Sequence, residues 1–217
     1  IKMNIYVREP INTYTHLVGA VLSFIGLLAM VIKVASNNGS PLQLFTVILF
    51  GLSLILLYSA STIYHLVQSN DKVIASLRRF DHSMIFILIA GTYTPFCLIS
   101  LSGTTGWIMF AIIVGLAICG VLFKLVWFNC PRWLSTSIYI AMGWIIITVA
   151  SPLASSLGTK GMILLVTGGL IYTVGGIIYA VKPRLLSFKY WGFHEIFHLY
   201  ILLGSFAHFL CVYFYVI

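Results

Sequence analysis

Apolar residues run through this chain in long, nearly unbroken stretches, without the alternation that marks a half-buried strand. Seven such runs stand between polar breaks, at 14–35, 42–66, 80–101, 105–127, 134–153, 160–181 and 191–217. A helix of about 20 apolar residues crosses the hydrocarbon core of a bilayer, so each run is long enough to be a span. The breaks carry turn chemistry: SNNGSP (36–41), QSNDKVIASLRR (68–79), SLSGTTG (100–106), FNCPRW (128–133), SPLASSLGTKG (151–161) and KPRLLSFKYWG (182–192). The pattern predicts an all-α polytopic membrane protein, a seven-transmembrane helix bundle forming a single domain over residues 1–217. No second domain or low-complexity tract is expected. The first run lacks a small-residue cleavage site and reads as a retained span. The head IKMNIYVREPINTYTH is predicted to lie along the membrane interface, with Tyr6 and Tyr14 at headgroup level.

Composition narrows the class. Hydrophobic residues make up 61% of the 217 positions and charged residues 7%, whereas a soluble domain has about 25% charged residues. In a soluble protein the net charge of +8 would suggest nucleic acid. Here the cations are scattered over short breaks between apolar runs, so they read as an orientation signal and nucleic-acid binding is excluded. Lys2, Arg8, Lys72, Arg78, Arg79, Lys124, Arg132, Lys182, Arg184 and Lys189 fall on the amino-terminal side of the seven runs; only Lys33 and Lys160 fall opposite. The amino terminus is therefore expected in the cytoplasm and the carboxyl terminus outside, the reverse of G-protein-coupled receptors. The last run has no lysine, which removes the attachment point of a retinal Schiff base.

Alternating direction through the spans brings four polar residues to one depth near the cytoplasmic end: His65, Asp81, His194 and His198. His194 and His198, four apart, share a helix face, and Ser61 lies one turn from His65 on its face. Such groups are costly in lipid unless paired, so they should point into the bundle. One histidine in a span is usually a packed core residue, but several converging at one depth suit Zn²⁺. His65, His194 and His198 would be three ligands with a fourth position open to water. Asp81 would orient or deprotonate that water, and Ser61 would hydrogen-bond the water or a developing oxyanion.

The spacing S-x3-H in STIYH (61–65), Asp81 within RRFDHS (78–83) and H-x3-H in HEIFH (194–198) together resemble the progestin and adipoQ receptor family. The opening INTYTHLVGA (11–20) is similar to its bacterial hemolysin III-like branch. The resemblance implies seven spans with the amino terminus inside, in a bacterial cytoplasmic membrane. It also implies zinc held by His65, His194 and His198, with Ser61 and Asp81 beside it. Kinship of that family with alkaline ceramidases implies a zinc-dependent hydrolase of a lipid amide or ester, with membrane lipids as partners and a role in lipid homeostasis.

Other readings compete. HEIFH also fits the H-E-x-x-H signature of zinc proteases with Glu195 as general base, but the companion motifs of such proteases are missing and Asp81 is placed ahead of it. A sensor or receptor with a structural zinc bracing three helices is the second class; a closed structural site usually has four protein ligands and no spare acid, which favours chemistry. A haemolytic pore-former would need a polar stripe that no run shows. His16 is either a partner behind a ligand or an interfacial anchor. His82 is about 100° around the helix from Asp81 and is left out. His208, about 15 Å beyond His198 along a helix, would line an acyl-chain cavity or bond across helices. Glycine pairs in TGGLIYTVGG predict close helix packing. Pro95 should kink the third run and free a carbonyl for Thr92 or Thr94 to engage. Cys97, Cys119, Cys130 and Cys211 read as small apolar packers, with no disulfide or thiolate metal site.

Overall fold

A computed structural model describes residues 7–186, 188 and 191–217. The Tyr6 anchor and the charges of Lys2 and Lys189 fall outside these residues. The chain forms helices α1 (Pro10–Ser36), α2 (Pro41–Leu66), α3 (Asp71–Pro95), α4 (Gly103–Val126), α5 (Arg132–Trp144), α6 (Ala150–Val181) and α7 (Phe193–Cys211). α1 packs on α2, α2 on α3, α3 on α4, α5 on α6 and α6 on α7, while α5 meets α3 and α7 returns against α1 to close the bundle. Phe50, Phe86 and Leu153 are fully buried between the helices, while Val21, Leu22, Ile25 and Ile32 of α1 and Ile108, Ile118 and Leu122 of α4 stand exposed on the outer surface. An apolar exterior around a packed interior is the arrangement lipid demands.

Among the described residues, six helical stretches are long and apolar enough to cross a membrane, not seven. The expected fifth and sixth spans are one stretch, Arg132–Val181, of 50 residues. Within it α5 has only 13 residues, about 20 Å of helix against a hydrocarbon core of about 30 Å. The break expected at 151–161 narrows to a kink at Gly158, where two helical segments, 150–157 and 159–181, meet within α6. Pro152 falls in the first turn of α6, where its missing N–H costs no helical bond. Leu153 and Leu157 are buried and hold the segment against the core. Gly158, at φ 65° and ψ 177°, is the one residue inside α6 that leaves helical geometry. The sidedness deduced from alternation through seven spans falls with that count.

The junction between α5 and α6 is a 3-10 turn, Ile145–Val149, and its cause is a side chain. The Tyr93 hydroxyl of α3 accepts the Ile146 N–H at 2.8 Å and lies 3.0 and 2.8 Å from the carbonyls of Met142 and Gly143. A hydroxyl inserted into the i→i−4 ladder displaces the α-helical bond there.

Two helix starts also differ from the sequence reading. α1 begins at Pro10, so Tyr14 is already helical, with its side chain exposed. α3 begins at Asp71, nine residues before the apolar run. Asn70 caps it by accepting the Val73 N–H at 3.1 Å, and Asp71 sits in the first turn, where an acid complements the helix dipole. That extension carries Arg78 into the bundle.

The glycine prediction holds in detail. A Cβ on Gly168 would meet His208 at 2.6 Å and one on Gly175 would meet Tyr200 at 2.6 Å, both on α7. Gly176 faces Thr136 and Ile140 of α5 instead. At Pro95, α3 gives way to a π-helical turn, Phe96–Leu101, and Thr92 and Thr94 bond the carbonyls of Leu88 and Ala90. All four cysteines are free.

Candidate metal centre

His65 is the penultimate residue of α2, and His194 and His198 lie in the first two turns of α7. One ligand atom from each lies within 4.8 Å of the other two. Nε2 of His194 and Nε2 of His65 approach to 3.3 Å. Two nitrogens on one tetrahedral zinc, each about 2.0–2.1 Å from it, would stand about 3.3 Å apart. His198 is buried and its Nδ1 has no hydrogen-bond partner. Three nitrogen donors, two of them face to face and one ring left with an orphaned atom, form a set that could hold a metal, and imidazole suits zinc among others.

Glu9, just before α1, fixes one of these rings. Its Oε2 lies 2.6 Å from Nδ1 of His65, so Nδ1–H donates to the carboxylate and Nε2 is left as the lone-pair nitrogen facing His194. Partial burial pushes the Glu9 carboxyl up, but the hydrogen bond from His65, with help from Asn12 and Arg8, outweighs it and holds the carboxyl below its usual range. The backbone adds a clamp, with the Glu9 N–H bonding the His65 carbonyl at 3.1 Å and the Arg8 N–H that of Leu66 at 3.3 Å.

His16 belongs to the site rather than to the interface. Its ring stacks on His198 with centroids 3.6 Å apart and planes 9° apart, and neither of its nitrogens has a partner. Asp81 is buried on α3 and lines the same cavity as the buried Ser61. It stands outside the group of three histidines whose ligand atoms converge. Glu195 is committed elsewhere: Oε2 accepts the Gly192 N–H at 2.8 Å, capping α7, and Oε1 accepts from the Asn12 amide at 3.0 Å. Both oxygens of the H-E-x-x-H glutamate are thus occupied in holding α7 to α1, which removes the support for a protease-type general base.

Asp81, Ser61, His194 and His198 open onto a cavity of about 230 Å³ that runs between the helices as far as Leu165 and His208. His208 does both things expected of it: it lines the cavity, and its Nε2 lies 3.2 Å from the Leu165 carbonyl of α6. His82 lies beside Phe128 and Tyr179 and is not one of the three histidines whose ligand atoms converge. Sequence reasoning missed Glu9, whose signal was its rarity: it is one of only four acids in the chain. It also missed that Lys124 is buried, bonded to Ser135 and Cys130, so Cys130 is not simply an apolar packer.

Fold and site define an integral membrane protein with a buried histidine group able to chelate a metal. Residues 4–209 match the haemolysin-III-related family. The chain is 42% identical over 217 residues to hemolysin-3 of Bacillus cereus, covering 100% of this chain and 95% of that protein. It is 40% identical over 208 residues to the hemolysin-3 homolog of Bacillus subtilis strain 168, covering 96% and 94%. The chain belongs to the haemolysin-III-related family, the branch anticipated from INTYTHLVGA. Its bacterial relatives fit a location in a bacterial cytoplasmic membrane.

Proposed function

We propose that this protein is a zinc-dependent hydrolase of a lipid amide or ester. The observation that carries the reading is a metal-competent histidine group, His65, His194 and His198, beside an acid that is not part of it, Asp81, at the head of an apolar cavity. When bound, zinc supplies Lewis acidity and makes water acidic near neutral pH, with a pKa of about 7. Asp81 takes a proton from the attacking water and returns it to the leaving nitrogen or oxygen. Ser61, which lines the same cavity, hydrogen-bonds the attacking water or the developing oxyanion. Glu9 holds the His65 tautomer. The apolar walls take the acyl chain and exclude bulk water from the reacting bond.

The test separates chemistry from bracing. Asp81→Asn should keep the metal and lose turnover of a lipid amide and ester panel by about 10²–10⁴-fold, the usual worth of a general base. His194→Ala should lose the metal. An Asp81→Asn protein with an unchanged product profile contradicts the hydrolase.

A further inference from the structure

The proposed reaction leaves three cations of the same cavity without a role. Arg78 of α3, Lys124 of α4 and Arg132 of α5 all line it. Lys124 is 2% exposed, and its hydrogen-bonding neighbours are the Ser135 hydroxyl and the Cys130 sulfur. The Arg78 guanidinium rests 5.0 Å from the Phe128 ring, and that of Arg132 lies 5.5 Å from Tyr179 and 5.7 Å from Phe193. The His82 ring stands 6.0 Å from Phe128 and 6.4 Å from Tyr179, the rings that carry Arg78 and Arg132, and Lys124 bonds Ser135 one turn from Arg132, so the three gather at one end of the cavity.

The chain has too few acids to neutralise them. Its four are Glu9, Asp71, Asp81 and Glu195. Glu9 serves His65 and Arg8, Glu195 serves Gly192 and Asn12, and Asp71 is exposed at the start of α3. Asp81 feels the charge of Arg78, one turn away on α3, but among the described residues none of the three cations forms an ion pair. Lys124 is buried and Arg78 and Arg132 are half-buried, and charge withdrawn from water is costly unless a counter-charge meets it. The occupant of this end of the cavity should therefore be an anion.

We propose that Arg78, Lys124 and Arg132 bind the phosphate headgroup of an amphiphile whose acyl chain lies in the apolar part of the cavity. Two guanidinium forks and an ammonium, delivered from three helices, offer more donors than the two oxygens of a carboxylate accept, whereas a phosphate presents three free oxygens. Beyond the cations the walls are apolar, with Leu88, Ile89, Phe96, Leu153 and Leu165 among them, which fits a chain attached to that phosphate. As the substrate class of the reaction above, this inference rests on the hydrolase reading; as a binding site it does not.

The test is calorimetric binding of dodecyl phosphate, dodecanol and inorganic phosphate to the full chain in uncharged detergent. Dodecyl phosphate should bind at least about tenfold more tightly than dodecanol, and Arg132→Gln and Arg78→Gln should each weaken it about tenfold through loss of a charge-assisted hydrogen bond, leaving dodecanol unchanged. Equal affinity of the wild-type protein for the phosphate and the alcohol overturns the proposal without recourse to a variant. Inorganic phosphate binding as tightly as dodecyl phosphate also overturns it, by assigning the site to a soluble anion. Wild-type protein that prefers the alkyl phosphate but turns over no lipid supports the binding site and contradicts the hydrolase alone.

Discussion

The Glu9 carboxylate meets Nδ1 of His65 at 2.6 Å, across 56 residues of sequence. The contact ties the segment before α1 to the last turn of α2 and decides which nitrogen of His65 faces His194. A carboxylate behind a ligand imidazole also raises its basicity. Glu9→Gln should therefore lower zinc affinity by about 10–100-fold, measured by competition with a chromophoric chelator. Unchanged affinity would mean that the His65 ring is oriented without Glu9.

Glu195 separates two readings of the HEIFH motif. With its oxygens on the Gly192 N–H and the Asn12 amide, it is a capping residue. Glu195→Ala should lower stability by about 1 kcal/mol, the typical worth of a helix cap, and keep both metal and lipid turnover. Thermal unfolding with metal analysis checks this. Full stability with abolished turnover would restore Glu195 to the chemistry.

Tyr93 is predicted to hold the α5–α6 junction. Tyr93→Phe leaves the Ile146 N–H without its acceptor, at a cost of about 1–3 kcal/mol for a buried unsatisfied donor. Hydrogen exchange at Ile146 should rise, while metal content stays the same because the junction is remote from the histidines. Unaltered exchange there would show that the 3-10 turn forms without the tyrosine.

What the sequence made legible follows local rules. His194 and His198 share a face because four residues make about one helical turn, and the seven-residue spacing of glycine pairs in α6 meets α7 as small faces do. Asp81 and His65 could be set at one depth from where their apolar runs end and begin. Within 151–161 the expected break shrinks to the kink at Gly158; the residues before it are helical because Leu153 and Leu157 are buried against the core, which Ser, Gly and Pro alone do not reveal. The start of α3 was hidden for the opposite reason: KVIASLRR is polar enough to read as loop, yet it is capped by Asn70 and carries Arg78 to the cavity. The partnership of Glu9 with His65 depends on how the chain enters α1, and no local pattern encodes that.

The central claim is a metal ion held by α2 and α7. An anomalous difference map collected at the zinc edge from crystals of the metal-loaded protein tests it most directly. A single peak bounded by nitrogens of His65, His194 and His198, with Asp81 outside bonding distance, is the predicted result. No peak among these rings, or zinc bound by other residues, would contradict it.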